Sequence, residues 1–354
     1  MPKPTLTDIA KKAGVSPATV SLVLANKGKI SDEVRDKVKT AADELRYTRT
    51  STSSASKAGT IAVLFHFDHQ LSQTWNILRQ ITLGLEERLS ASNYLTVLIP
   101  ITFDMSDREI YQKIVDSRAN AVFSMHFGRE KLFASLEEAD IPVVVVINSH
   151  YQTKFYTVCA DNFQGSYEAA SHLLKLGHRN IVYADFDIHE LPETLSDRFF
   201  GFYKALDEHG RTLSEAHRLH LNVDDLDDIR TKLAGALSTS DRPTAIFFVD
   251  DYLAARSVGV LNEMGLRVPD DMSIIASGEI LDYNQPYIPR ITAMLTSPEL
   301  LAKFSAQMML DRLKHKPRES YVLKIKQQLM ERGSCRAIDE VPSGVANVEA
   351  EISE

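Results

Sequence analysis

The sequence has few cysteines, a single tryptophan and no long apolar run. Its 354 residues include only Cys159 and Cys335, which cannot build a disulfide framework and are typical of a protein from a reducing compartment. The longest apolar run, residues 141–147, is far shorter than the roughly 20 residues that a membrane-spanning helix needs. The first 30 residues lack the apolar segment of an export signal. We therefore expect a cytoplasmic protein that does not enter a membrane.

Motifs for catalysis and metal binding are also missing. The sequence contains no G-x-S-x-G, no glycine-rich phosphate loop, no H-E-x-x-H and no paired C-x-x-C. His66 and Asp68 follow a predicted strand, but their spacing is too loose to favour a metal site. These absences predict a protein that is not an enzyme and that uses no metal or cofactor.

The charge that is present is distributed unevenly. The net charge is −8, yet residues 1–60 contain 11 Lys and Arg against six Asp and Glu, a net of +5. The rest of the chain contains 29 basic and 42 acidic residues, a net of −13. A basic N-terminal segment attached to an acidic body indicates that the N-terminal segment binds a polyanion.

The N-terminal segment has the pattern of three short helices. Thr5 or Thr7 can cap the first, which ends at Gly14, and Ser16 can cap the second. Two short helices joined by a glycine-containing turn, with a third packed on them, are typical of a helix-turn-helix DNA-binding unit. The second helix would then enter the major groove. The residues expected to contact DNA are Thr5, Thr7, Ser16, Pro17, Ala18, Thr19, Ser21, Leu22, Asn26, Lys27 and Lys29.

The segments Thr5–Ser21 and Glu44–Tyr47 resemble the headpiece of the LacI/GalR family of bacterial transcriptional regulators. The resemblance implies a homodimer that binds a palindromic operator in double-stranded DNA. Two positions depart from the family pattern. Leu22 stands where many members carry an arginine, so it can touch a thymine methyl but cannot donate hydrogen bonds to guanine. Ser56 stands where a leucine usually wedges into the minor groove, so we expect this protein to bend its operator less than its relatives do.

From Thr60 onward, β-branched runs alternate with helical patterns, which predicts parallel strands joined by crossover helices. Two such lobes would form a cleft at the carboxyl ends of their strands, where small ligands bind. Asp161–Gly165, Asp197–Phe202 and Gly265–Ile274 resemble the body of the same family. The predicted fold class is α/β, with a three-helix helix-turn-helix headpiece and a periplasmic-binding-protein-like body of two parallel α/β lobes.

The same patterns predict where the domains begin and end. The DNA-binding domain would span residues 1–47, an atypical Ser/Thr-rich linker 48–59, and the effector-binding and dimerisation body 60–336. The first lobe would comprise residues 60–160 plus 291–318, and the second lobe 161–290 plus 319–336. The tail at 337–354 has five acidic residues and no basic one, so we expect it to be disordered.

The resemblance implies that loops at strand ends bind the effector, and Arg198 and Asp250 match family positions well. Asp161 can equally well cap the helix that follows it, and Trp75 can stack on a ligand ring or belong to the core. The aspartate that the family uses after a late strand aligns with Gly278, so the pocket is not a standard sugar site. The candidate effector-binding residues are His66, Asp68, Trp75, Asp161, Arg198, Asp250 and Glu279.

The leading hypothesis is a transcriptional repressor whose operator affinity depends on a small molecule, a sugar or a related metabolite, bound between the lobes. Leu22 and the unusual linker leave open a small-molecule-binding protein with a vestigial headpiece. A second alternative is an enzyme that uses the cleft carboxylates Asp161, Asp250 and Glu279.

Overall fold

The computed structural model describes residues 5–24, 28, 30–45, 47, 59–66, 75–187, 193–315 and 319–338. The chain forms two compact units, Met1–Lys57 and Ala58–Glu354. The first contains the three predicted helices and the second contains the two α/β lobes. Most of the predicted linker and the acidic tail from residue 339 lie outside the described residues, as does the position of Ser56.

The first unit contains helices α1 (Leu6–Ala13), α2 (Pro17–Leu24) and α3 (Asp32–Glu44). Thr5, rather than Thr7, caps α1, because its hydroxyl accepts from Asp8 N while its own N–H donates to Asp8 Oδ2 at 2.7 Å. Gly14 ends α1 in the left-handed region with φ 66°. The three helices enclose a small core of Ile9, Ala10, Val20, Val23, Val38, Ala41 and Ala42.

The first lobe of the second unit contains a parallel sheet in the order β11-β5-β4-β3-β1-β2. Its elements are β1 (Thr60–His66), α4 (Trp75–Ala91), β2 (Leu95–Ile101), α5 (Asp107–Asp116), β3 (Ala121–Met125), α6 (Glu130–Glu138), β4 (Val143–Val146), β5 (Tyr156–Ala160), α11 (Pro298–His315) and β11 (Val322–Ile325).

The second lobe contains a sheet in the order β12-β10-β9-β8-β6-β7, in which β12 is antiparallel to β10 and the other pairs are parallel. Its elements are α7 (Asn162–Lys175), β6 (Ile181–Phe186), α8 (Glu193–Glu208), a short 3₁₀ helix (Glu215–His217), β7 (Arg218–Leu221), α9 (Leu226–Leu237), β8 (Ala245–Phe248), α10 (Asp251–Glu263), β9 (Ser273–Ala276), β10 (Thr292–Leu295) and β12 (Gln328–Met330).

Both sheets are covered by helices, so their central strands are buried on both faces. Every residue of β3, β4, β8 and β9 is buried. Such strands have nearly continuous apolar sequences, as in Val143–Val146. The predicted fold class, a helix-turn-helix headpiece with two parallel α/β lobes, is confirmed.

The predicted lobe boundaries near the C-terminus are wrong at two strands. The sequence pattern assigned residues 291–318 to the first lobe and 319–336 to the second, but β10 joins the second sheet and β11 the first. The chain therefore changes lobe near residues 161, 296 and 326. The reason is physical: these strands have only four residues each, and strand propensity does not determine which sheet edge a strand joins.

Candidate functional site

The first unit presents α2 as an exposed helix suited to a DNA groove. Ser16 Oγ accepts from Thr19 N at 3.1 Å, which fixes the start of α2, while Val20 and Val23 point into the core. The opposite side of the helix faces solvent, and Leu22 is 44% exposed. The predicted contact residues Thr5, Thr7, Ser16, Pro17, Ala18, Ser21 and Leu22 are exposed, and Thr19 is partly buried.

Some basic residues of this unit already have acidic partners. Lys12 Nζ lies 2.7 Å from Glu44 Oε2, and Lys37 Nζ lies 2.8 Å from Glu33 Oε1. These exposed ion pairs are weak, so phosphate groups can compete for the lysines. The predicted contacts Asn26, Lys27 and Lys29 lie outside the described residues.

The second unit contains a cavity of about 490 Å³ between its two lobes, within the usual size range of small-molecule sites. It lies at the carboxyl ends of the strands of both sheets, where the sequence predicted a cleft. The lining residues are Ile77, His126, Ile147, Asn148, Ala160, Asn162, Phe186, Asp187, Leu195, Arg198, Leu221, Asn222, Val223, Asp224, Asp250, Tyr252, Gly278, Glu279, Ile280, Thr296, Leu301 and Gln327.

Arg198, on α8, brings a positive charge to this cavity. Its Nε donates a hydrogen bond to Asn162 Oδ1 at 3.3 Å. Burial lowers the pKa of the guanidinium, while the nearby carboxylate of Asp250 raises it. The structure therefore places this predicted effector residue at the cavity, where its planar fork can bind hydroxyls or an oxyanion.

Asp250 lies directly after β8 and is 7% exposed. Its Oδ1 accepts from Leu253 N at 2.9 Å, so it caps α10 and also lines the cavity. Burial raises the pKa of this carboxyl, and the N–H of Leu253 and the charge of Arg198 act in the opposite direction. The residue is thus a buried cap at the cavity rather than a surface acid.

Of the other two predicted carboxylates, only Glu279 lines the same cavity as Asp250. Asp161 accepts from Gln164 N at 3.1 Å as the cap of α7, and it is not among the lining residues. Glu279 lines the cavity, but its Oε2 lies 2.6 Å from Nη2 of Arg332. A catalytic arrangement of these three carboxylates is therefore not formed.

His66 and Trp75 are not among the lining residues, although the charge of His66 reaches the lining residue His126. The centroid of the His66 ring lies 3.6 Å from that of the Phe103 ring. Trp75 is 36% exposed and packs edge-on against Phe65 at 5.5 Å. The third predicted residue of this region, Asp68, lies outside the described residues.

Four lining residues were not predicted from the sequence: His126, Ile147, Asn148 and Asn222. His126 and Ile147 follow β3 and β4, and both have left-handed backbones with φ 55° and 57°. This conformation is unusual for a β-branched residue and often occurs at binding sites. The walls of the cleft desolvate His126 and lower its pKa, and the charge of Arg198 acts in the same direction. Asn148 and Asn222 follow β4 and β7, so the rule that ligands bind at strand ends could have found them.

Gln327 lies where the three chain segments that connect the lobes meet. Its N–H donates to Gln164 Oε1 at 2.8 Å, and Gln164 Nε2 donates back to the Gln327 carbonyl at 3.2 Å. Its own Nε2 donates to Thr296 Oγ1 at 2.9 Å. The N–H of Asp161 donates to the carbonyl of Ile325 at 2.8 Å. These bonds join all three connections at the floor of the cavity.

The described part of the chain contains no group of three or more His, Cys, Asp or Glu residues arranged to hold a metal ion. None of its helices combines the length and the apolar character that crossing a membrane requires.

Two known families match this chain. Residues 5–50 match the bacterial regulatory proteins of the lacI family, and residues 170–335 match the periplasmic binding protein-like domain. The HTH-type transcriptional repressor PurR of Erwinia tasmaniensis is 29% identical over 337 residues, covering 93% of this chain and 96% of its own length. The HTH-type transcriptional regulator DegA of Bacillus subtilis is 29% identical over 278 residues, covering 77% of this chain and 81% of its own length.

Solved structures show the same fold. The lac repressor dimer bound to operator and the anti-inducer ONPF has a TM-score of 0.73 at 20% identity, covering 95% of this chain and 100% of that chain. The complex of the transcriptional regulator CelR with cellobiose has a TM-score of 0.65 at 23% identity, covering 94% and 99%. Both matches extend over nearly the whole of each chain, so the likeness in fold includes both units.

Proposed function

Since the chain belongs to the LacI family of bacterial regulatory proteins and is a DNA-binding transcriptional regulator with a ligand-binding domain, we propose that it is a cytoplasmic repressor controlled by a small metabolite. The observation that carries the proposal is the combination of an exposed recognition helix in one unit with a cavity between two lobes in the other, lined by apolar residues and a few polar side chains. A DNA-binding unit alone would not need the second feature.

The headpiece would bind DNA through α2. Pro17, Ala18 and Leu22 offer apolar surface, which suits thymine methyl groups and groove shape, whereas Ser16 and Ser21 offer hydroxyls for phosphates. The operator half-site would therefore be read with few hydrogen bonds to bases. Basic residues of the same unit supply attraction that does not depend on sequence and that salt weakens.

The body would bind a hydroxyl-bearing metabolite, such as a sugar, in the cavity. Asn148 comes from the first lobe, and Asn222 and Arg198 come from the second. A ligand that bonds to residues of both lobes stabilises one lobe arrangement over another, and only such a difference can shift an equilibrium. The bonds around Gln327 would confine this change to a rotation about the three connections. A typical coupling of about 1–3 kcal/mol would change operator affinity roughly 5- to 150-fold.

A homodimer would allow two headpieces to bind a palindromic operator. In the first lobe, β2 is an edge strand, and Leu95 and Leu98 on it are 64% and 50% exposed. Leu83 of the adjacent α4 is 58% exposed. An edge strand with exposed leucines is prone to pair with another chain, which supports a second copy as the partner. Replacing Leu98 with aspartate should shift the sedimentation coefficient from that of a dimer to that of a monomer.

The decisive experiment is selection of DNA by the purified protein from a random library. We expect palindromic sites whose affinity falls at least tenfold between 50 and 200 mM salt. Leu22→Ala should weaken specific binding by about 1–2 kcal/mol, because it removes apolar contact with a base. Thr40→Ala, on the exposed side of α3, is the matched control. Recovery of no preferred sequence would favour the vestigial headpiece instead.

A thermal-shift screen of sugars, nucleosides and organic acids tests the cavity. A ligand at about 100 times its dissociation constant adds roughly 2.7 kcal/mol of stability to the protein. The same compound should then change operator affinity, and Arg198→Gln should abolish both effects. A compound that stabilises the protein without changing DNA binding would contradict the proposed control by metabolite.

A further inference from the structure

The Arg198 guanidinium occupies space that a side chain at position 278 would fill. A Cβ atom added to Gly278 would lie 2.7 Å from Nη2 and 3.2 Å from Cζ of Arg198. The Nε of Arg198 also donates a hydrogen bond to Asn162. Gly278 and Asn162 are therefore positioning residues, because Gly278 leaves room for the guanidinium and the bond to Asn162 orients it.

This guanidinium has no salt bridge with any carboxylate in the described part of the chain, although three acids lie in the region. Asp250 Oδ1 binds the N–H of Leu253 at 2.9 Å. Asp251 accepts from the main-chain N–H groups of Ile280 and Leu281 at 2.9 and 3.2 Å. Glu279 forms a salt bridge with Arg332. All three carboxylates are thus used by other partners.

The guanidinium is partly buried and the carboxylate of Asp250 acts on it only through space, without a salt bridge, so the site favours a ligand whose anion binds the guanidinium directly. The fork of an arginine matches the two oxygens of a carboxylate or a phosphate. The amides of Asn148 and Asn222 and the hydroxyl of Thr296 suit ligand hydroxyls. Two further lining acids, Asp187 and Asp224, are exposed to solvent, which screens their repulsion.

We infer that the effector is a hydroxyl-bearing metabolite with an oxyanion, a carboxylate or a phosphate ester, that binds Arg198 in the space left by Gly278. The inference rests on the proposed function, because it assumes that the effector occupies this cavity. It adds the chemical class of the effector and the reason why residue 278 lacks a side chain.

The test uses matched compounds that differ in charge. Binding of D-glucose, D-glucuronate and D-glucose 6-phosphate to the full-length protein is measured by calorimetry at constant ionic strength. We expect one of the two anions to bind at least tenfold more tightly than glucose, as hydrogen bonds to a charged group predict. The anion that binds more tightly identifies carboxylate or phosphate as the source of the charge.

Three variants assign the effect to the geometry. Arg198→Gln and Gly278→Ala should each remove the preference for the anion, the first by deleting the charge and the second by displacing the flexible end of Arg198. The closest contact is with that flexible end, and the main-chain oxygen of Val249 at 3.3 Å needs to shift by only a few tenths of an ångström, so Gly278→Ala should keep the fold with a modestly lower melting temperature. Arg242→Gln, exposed before the amino end of β8 and away from the cavity, should keep the preference.

A direct readout covers the case in which none of the three sugars binds. Formate is titrated into protein labelled with ¹³C and ¹⁵N in arginine, and the Arg198 side-chain signal is assigned by its loss in Arg198→Lys. A saturable shift of that signal, absent in Gly278→Ala, supports the inference. An unmoved signal overturns it, as does glucose binding as tightly as the anions or an anion preference that survives Arg198→Gln. Glucose binding that changes operator affinity would overturn the inference while leaving the proposed function intact.

Discussion

The buried carboxyl of Asp251 should make the stability of the body depend on pH. Asp251 is the first residue of α10, is fully buried, and accepts from the main-chain N–H groups of Ile280 and Leu281. Burial raises its pKa to about 7, and the neighbouring Asp250 acts in the same direction. The folded protein therefore holds this proton more tightly than the unfolded chain does. The resulting stability is fully present below the unfolded pKa near 4 and is lost as the pH rises through 7.

The expected loss is on the order of 2–3 kcal/mol between pH 5 and pH 8, because each pKa unit corresponds to about 1.4 kcal/mol. Asp251→Asn cannot titrate, so its free energy of unfolding should lack this component. In addition, the free energy of unfolding of Asp251→Asn should be lower by a constant amount of about 1–3 kcal/mol at every pH, because an amide has only one oxygen for the two N–H groups.

Urea unfolding followed by circular dichroism from pH 5 to pH 8 measures this difference. The advantage of the parent protein over Asp251→Asn should shrink steadily as the pH rises. Asp207→Asn, on the exposed side of α8, controls for the loss of a surface charge. A difference between parent and Asp251→Asn that stays constant within about 0.5 kcal/mol would refute the reasoning, since it would mean that Asp251 is ionised throughout.

Other contacts give three further expectations. Thr5→Ala removes the reciprocal bonds with Asp8 and should lower headpiece stability by about 1 kcal/mol in thermal unfolding, whereas Thr7→Ala should change it much less. Gly165→Ala would place a Cβ 1.7 Å from Gln327 Oε1 and should lower the stability of the body in urea by about 1–3 kcal/mol. Its control is Gly259→Ala, whose Cβ meets nothing within 4 Å and which should keep or raise that stability. Arg312→Met breaks the ion pair with Glu137 at 2.7 Å and should lower the free energy of unfolding by about 3 kcal/mol. The double variant Arg312→Met/Glu137→Gln should recover part of this loss, because it also removes the unpaired carboxylate. An equal loss in both variants would contradict a destabilising effect of that carboxylate.

Features of the fold that depend on local chemistry were predictable from the sequence. Local sequence is enough to predict the cap at Ser16, the turn at Gly14 and the buried positions of Ile9 and Ala10. Each of these features depends only on residues within one or two helical turns. The alternation of strands and helices similarly predicts parallel sheets. The partner of β10 was not predictable, because a four-residue strand carries no local signal of the sheet to which it adds.

In the candidate site, too, some residues could be predicted from short sequence motifs and others could not. Arg198 and Asp250 follow from a resemblance over short motifs, and the structure places both at the cavity. The position of His66, which is not among the lining residues and packs on Phe103, could not be predicted, because the side on which the last residue of a strand lies is hard to assign from sequence.

Gly278 shows most clearly why the rest of the site required coordinates. In the sequence it is only an absence, a position without the acidic side chain that the family pattern leads one to expect. In the structure, the guanidinium of Arg198, which lies 80 positions earlier in the chain, occupies the space that a side chain at 278 would need. An acid at 278 would have to share that space with Arg198 and would neutralise it within the protein, whereas glycine, in the site that we propose, leaves the charge available to a ligand. One missing side chain thus changes both the shape and the charge of the cavity, and neither change can be read from residue types alone.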